Sequence, residues 1–376
     1  MIKKIGLGLA GYFALLSVLS AQNEKNTTMI SKSDKMQQVL TKTTDGKKVF
    51  GTTFIVKYNN ETWQGASGNL EVQQPFFIAS TTKLFVTALI YKFLDEGKLT
   101  LDDKITKYLD SSITNRLHVY KGTDYSNTIT IKHLLAHTSG IPDYFQNKGA
   151  SGKSLEDELV IGNDQYWTFE QAINRSKAMK PLFIPGAKNK AHYSDANFQL
   201  LGKIIENISG KLFYDNCMEH IINPLHLTNT YLYANASDTK PKTLYYKQSE
   251  LIIPKAMTSF GPDGGMVSTT EDMLVFTEAF FTGRLFPVQY IKEMQVWNNI
   301  FTPMQSGVGI HLFKLPWLFN PTGAIPEIIG HSGLSGALAY YSPKHNLYIA
   351  GTVNQVAYPQ ISFKVAIKLM QIALSR

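Results

Sequence analysis

The stretch Pro75-Phe76-Phe77-Ile78-Ala79-Ser80-Thr81-Thr82-Lys83-Leu84-Phe85-Val86-Thr87-Ala88-Leu89-Ile90-Tyr91-Lys92-Phe93-Leu94-Asp95-Glu96-Gly97 carries two patterns in succession. Pro75–Ala79 is strand-like. From Ser80 onward the residues Leu84, Phe85, Ala88, Leu89, Tyr91 and Leu94 cover nearly every face of a helix, which is therefore expected to be buried and to stop at Gly97. Lys83 does not fit a packing role, because an idle charge inside an apolar helix is costly. Ser80 lies at the helix N-terminus, three residues earlier. Residues three apart share a helix face, with Cβ atoms about 5–6 Å apart, so the amine can reach the hydroxyl. A serine alcohol is a weak nucleophile until a neighbour takes its proton. Burial favours a neutral lysine able to do so, and a helix N-terminus supplies free N–H groups where an oxyanion would form. Ser-x-x-Lys alone also fits an N-cap serine with a chance lysine.

Outward from this helix, strands lie toward both chain ends. Val49–Tyr58 is rich in β-branched and aromatic residues, Asn59-Asn60 makes a turn, and Glu61–Asn69 reads as the second arm of a hairpin. Near the C-terminus, Leu338–Tyr341 and Leu347–Val353 flank the turn-like Ser342–Asn346, and Ile361–Leu374 reads as a closing helix. Between them lie helical segments, with capping-box spacing at Thr168–Gln171 and Ser268–Glu271 and a helix over Phe198–Ile208 that stops at Gly210. The expectation is an α+β fold: one antiparallel sheet built from both chain ends, with flanking helices and an inserted helical lobe at about 100–290. Asp143–Asp164 and Asn235–Lys255 read as surface insertions.

The chain has 376 residues, 44% hydrophobic and 18% charged, which excludes disordered, collagen-like and coiled-coil classes. Its net charge of +8 is scattered, without a basic run, so a nucleic-acid surface has little support. A single cysteine, Cys217, excludes internal disulfides and Cys-rich zinc modules. Lys3 and Lys4, the apolar run Ile5–Leu19 and the small residues Ser20-Ala21 form a secretory signal pattern over residues 1–21. The apolar run is shorter than the roughly 20 residues of a spanning helix, so no stable membrane span is expected after cleavage. A secreted or periplasmic bacterial protein is expected. Residues 22–48 would be a lead-in, with a short helix around Lys35–Thr41, and 49–376 a single domain.

Gly-x-Ser-x-Gly and His-Glu-x-x-His are absent from the sequence. His133 and His137 have metal-like i, i+4 spacing, yet they read more simply as histidines at a helix C-terminus. Two further segments carry polar groups. Tyr193-Ser194-Asp195 follows the Pro185-Gly186 turn, and Gly330-His331-Ser332-Gly333-Leu334-Ser335-Gly336 leads into the late strand. A turn tyrosine and a Gly-rich approach to a strand would explain each on its own.

Taken in order, Ser80-Thr81-Thr82-Lys83, Tyr193-Ser194-Asp195 and His331-Ser332-Gly333 resemble the three motifs of the serine β-lactamase and penicillin-binding protein superfamily. The resemblance is to the branch of class C β-lactamases, D-Ala-D-Ala carboxypeptidases and related esterases. His133–Gly140, Tyr193–Gly202 and Gly261–Gly265 support it. The resemblance implies Ser80 as acylated nucleophile, Lys83 as its proton partner, and Tyr193 as general base that then protonates the leaving group. It implies an oxyanion hole from the backbone N–H groups of Ser80 and Leu334. Asp195, Ser332 and Gly333 would border the substrate, and His331, on an edge strand, would help bind its carboxylate. No metal or organic cofactor is implied. Asp195 stands where the branch has Asn; a carboxylate there favours charged Lys83 and shifts weight to Tyr193. His331 stands where the β-lactamases have Lys, which points to carboxypeptidase or esterase chemistry. The expected function is hydrolysis of D-Ala-D-Ala-type peptides or related amides and esters. The alternatives are a class C-like β-lactamase or a non-catalytic penicillin-binding sensor.

Overall fold

Burial of the first strand on both faces sets up a layered body. In the computed structural model the described residues are 31–375, less 302, 316, 317, 319 and 322. The signal pattern at 1–21 lies outside the described residues. The first described element is helix α1 (Lys32–Thr43), capped by Ser31, whose hydroxyl accepts from the Asp34 N–H. Strands β1 (Gly51–Tyr58) and β2 (Glu61–Gly68) form the expected hairpin. Phe54 and Val56 point into one apolar cluster and Ile55 into the other, because successive side chains of a strand face opposite ways.

A short strand β3 (Phe76–Phe77) precedes a 3₁₀ turn at Ala79–Thr82, which runs into helix α2 (Lys83–Asp95). Ten of the thirteen residues of α2 are buried, Lys83 among them, as its all-round apolar pattern requires. The lobe then supplies α3 (Ile131–Leu135), α4 (Leu155–Leu159) and α5 (Asp195–Ser209), the last ending at Gly210 with φ +70°. Strands β4 (Tyr231–Leu232) and β5 (Met266–Ser268) pair, and β3 pairs with β5. Helix α6 (Thr270–Thr282) follows, its Phe276 ring stacked on Phe85 of α2 at 3.9 Å.

The chain then adds β6 (Asn298–Phe301), β7 (Met304–Ser306), β8 (His311–Phe313), β9 (Ile328–Ser332), β10 (Ala337–Ser342) and β11 (Leu347–Thr352). The main sheet has the order β6-β7-β8-β9-β10-β11-β1-β2, and all its pairings are antiparallel. Helix α7 (Gln360–Leu374) closes the chain. Val365 and Leu369 of α7 and Met36 and Leu40 of α1 fill one face of the sheet; α2, α6 and the lobe fill the other. Strands β1 and β11 are buried on both faces for this reason.

Three expectations need correction. The cap of α6 is Thr269, which accepts from the Asp272 N–H, one residue later than the predicted box, because Ser268 completes β5. Asp143–Asp164 is not a surface loop throughout: Asp143 and Tyr144 are buried, and α4 sends Leu155 and Leu159 into the core. The segment predicted around His331 is not on an edge strand. Strand β9 is paired on both sides, to β8 and to β10, and only His331 and Ser332 run past its register with β8.

Candidate active site

Ser80 is half-buried in the 3₁₀ turn that starts the central helix. Ala79 before it has φ +45°, a left-handed conformation that costs a non-glycine residue about 1–3 kcal/mol. The surroundings hold it there. Ser335 donates its hydroxyl to the Phe77 carbonyl at 2.7 Å, tying the 332–336 turn to the segment before the serine. Gly333 lies so close that a Cβ would sit 2.5 Å from the Ile78 oxygen and 3.1 Å from the Ser80 nitrogen, so no larger residue fits without movement. Ser80 is in the first turn of its helix, where N–H groups have no intrahelical acceptor.

Lys83 is fully buried, and its ammonium donates to Ser80 Oγ at 3.1 Å and to Asp195 Oδ1 at 2.6 Å, with the Asp263 backbone carbonyl as a third acceptor. Its three donors are therefore all used. Burial pushes the amine toward neutrality, but Asp195, Tyr193 and Asp263 together outweigh it and hold Lys83 above the usual lysine range. Of the two effects weighed on this amine, burial and a carboxylate at position 195, the geometry favours the charged form that the carboxylate supports. Asp195 is the first residue of α5, and its N–H donates to Asp143 Oδ1 at 3.0 Å.

Tyr193 is half-buried two residues before α5, its ring 5.0 Å from Lys83 Nζ. Burial raises its pKa, and Lys83 and Ser80 pull it back only in part, so the phenol keeps its proton at rest. His137 holds this residue from three directions. Its carbonyl accepts from the His192 N–H at 2.9 Å, its Nδ1 accepts from the Ser194 N–H at 3.1 Å, and its ring stacks under Tyr193 at 4.5 Å. His133 serves elsewhere, its Nδ1 accepting from the Thr130 N–H to cap α3. The two histidines do not converge, and no metal-holding group of three ligands occurs among the described residues.

His331 is 1% exposed, with Nδ1 against the Ser332 carbonyl and its ring stacked on His311 at 4.0 Å. Burial and the neighbouring His311 and Lys83 hold it well below the usual histidine range. Burial thus favours its neutral form, and it is not among the residues lining the cavity, which does not favour the expected contact with the substrate carboxylate. Ser332, Gly333 and Leu334 do line the cavity over Ser80, together with Tyr193 and Asp195.

Sequence reasoning missed four residues of this site. His311 faces the cavity, 5.9 Å from the Tyr193 ring, and burial and Lys83 pull its pKa down to about 3. Asp143 is pushed up to about 8 by burial and by Asp195. Asp263 is raised well above its usual value and accepts from the Tyr144 hydroxyl and the Gln199 amide. Tyr144 completes this set. Asp263 sits within Gly261–Gly265, a phrase the sequence did flag, whereas His311 opens a three-residue strand with no spacing to any motif.

An antiparallel sheet with flanking helices, and a Ser–Lys–Tyr group in the cleft between sheet and lobe, define a serine hydrolase of the β-lactamase and penicillin-binding protein fold. The Beta-lactamase family profile matches residues 36–371, and the chain belongs to that family. A protein of Escherichia coli (strain K12) named "Putative D-alanyl-D-alanine carboxypeptidase" is 27% identical over 348 residues, covering 78% of this chain and 74% of its own length. A "Putative penicillin-binding protein PbpX" of Bacillus subtilis (strain 168) is 26% identical over 295 residues, covering 75% and 66%. The crystal structure of a D-stereospecific amidohydrolase from Streptomyces sp. superposes with a TM-score of 0.71 at 26% identity, covering 86% of this chain and 95% of that one.

Proposed function

We propose that the protein is an exported serine hydrolase that forms an acyl-enzyme on Ser80, acting on D-Ala-D-Ala-type peptides or related amides and esters. The observation that carries this reading is the Lys83 ammonium placed 3.1 Å from Ser80 Oγ and locked by Asp195, with the Tyr193 phenol alongside. Names of relatives, a carboxypeptidase and an amidohydrolase, support the substrate class. The N-terminal pattern at 1–21 supports export.

With Lys83 charged and Tyr193 protonated, neither is a free base at rest, and a relay satisfies both. Ser80 Oγ bonds to the substrate carbonyl carbon as its proton passes to Tyr193 Oη, while the Tyr193 proton passes to the leaving nitrogen or oxygen. The scissile bond breaks and the acyl group stays on Ser80. A water then attacks the ester, its proton returning through Tyr193 to Oγ. Lys83 stabilises negative charge developing on Oγ and Oη throughout. The backbone N–H groups of Ser80 and Leu334 are the oxyanion donors of this reading. His137 and Asp195 act as positioning residues.

Mass spectrometry of the protein with a fluorophosphonate and with a penicillin tests the reading. A mass increase that disappears in Ser80→Ala is expected. Absence of any adduct with either probe would leave a binding domain without turnover.

A further inference from the structure

We infer that the substrates are neutral next to the scissile bond: amides or esters with an apolar acyl group, rather than peptides ending in a free carboxylate. The inference rests on the hydrolase reading of Ser80 and narrows it.

A cavity of about 550 Å³ opens over Ser80, a volume suited to a small organic ligand. Phe77, Leu159, Leu251, Phe260, Met304 and Phe313 are among its walls. A methylene moved from water onto such a surface gains about 0.8 kcal/mol, roughly fourfold in affinity. Asp195, Asp263 and Glu156 border the cavity, with Asp195 paired to Lys83 and burial favouring the neutral form of Asp263, and among its described lining residues the only lysine is Lys364, an exposed residue of α7.

Among the described residues beside Ser80, the basic groups that could receive a terminal carboxylate are committed or enclosed. The Lys83 ammonium is shared among Ser80, Asp195 and the Asp263 carbonyl. His331 is enclosed behind its stack with His311, and His311 itself is neutral. A carboxylate brought beside Ser80 would be desolvated next to Asp195, with the Lys83 ammonium already committed, which is costly, whereas an amide or ester carbonyl brings no such charge.

The test uses matched pairs: N-benzoyl-D-Ala-D-Ala against its C-terminal amide and methyl ester, and p-nitrophenyl acetate, butyrate and octanoate. The capped compounds should exceed the free acid in kcat/KM by at least about tenfold, and the esters should gain up to about fourfold per methylene. Glu156 accepts from the Gln146 amide at 3.0 Å on the cavity wall, so Glu156→Gln should narrow the gap between free acid and amide. A free acid turned over as well as its amide, or a flat chain-length series, would overturn the inference while leaving the hydrolase intact. No turnover of any compound, together with no Ser80 adduct, would instead overturn the hydrolase reading beneath it.

Discussion

The Lys83 ammonium and the Asp195 carboxylate meet at 2.6 Å, with 0% and 9% of their side chains exposed. The pair sits directly behind Ser80, and it decides how the site handles protons. A lysine locked as a cation steadies charge, and the moving proton falls to Tyr193. It also makes the centre of the protein sensitive to single substitutions, since a buried charge without its partner is far more costly than a buried pair.

Asp195→Asn should therefore destabilise the protein by about 3–5 kcal/mol, because Lys83 loses its carboxylate. Adding Lys83→Met to that variant should recover much of the loss. Urea midpoints of the two single variants and the double variant form the cycle. Additive losses would mean that the two groups do not depend on one another.

Tyr193→Phe keeps the ring on His137 and removes the hydroxyl. Turnover should fall by about 10²–10⁴, the usual scale of lost proton transfer, with KM and melting temperature little changed. A variant with unaltered kcat would exclude the phenol from the relay.

His137→Phe keeps an aromatic ring under Tyr193 but orphans the buried Ser194 N–H, at a cost of about 1–3 kcal/mol. With Tyr193 less firmly held, kcat should drop more than KM rises. His137→Asn offers an acceptor in place of Nδ1 and tolerates the residue's positive φ of 57°, so it should restore part of kcat. Equal kinetics for the Phe and Asn variants would point to the stack rather than the hydrogen bond.

Acid should weaken the fold through His311. Burial lowers its pKa from 6.5 to about 3, so between these values the unfolded chain binds a proton that the folded chain refuses. Its contribution to stability is complete above about 6.5 and is lost as pH falls toward 3. Buried His137 and His331 act in the same direction. Denaturation midpoints at about pH 7.5 and about pH 5 should differ less in His311→Gln than in the unaltered protein. An unchanged difference would assign the acid sensitivity to other groups.

Local features were legible wherever neighbours in sequence interact. The Ser80–Lys83 spacing, the hairpin at Asn59-Asn60, the cap at Thr168 and the stop at Gly210 each involve residues a few positions apart. Features that failed were set at longer range. Whether β9 is an edge depends on β8, a strand of three residues too short to show a pattern. The cap of α6 moved by one residue because β5 claims Ser268 through pairing with β3. Asp143 lies in a polar, Gly- and Ser-rich stretch that nothing local marks as buried, yet it receives the Asp195 N–H.

By itself the sequence determined the sheet-and-lobe architecture, the family motifs and the reach of a lysine to a serine one turn away, since all of these follow from periodicity and short-range geometry. Only the tertiary structure decided that a carboxylate 112 residues further on meets that lysine at 2.6 Å, and that His331 is buried behind a histidine that no motif marked. The reason is that pairing and burial set the free energy of a charge, and both are properties of the packed interior rather than of neighbouring residues along the chain.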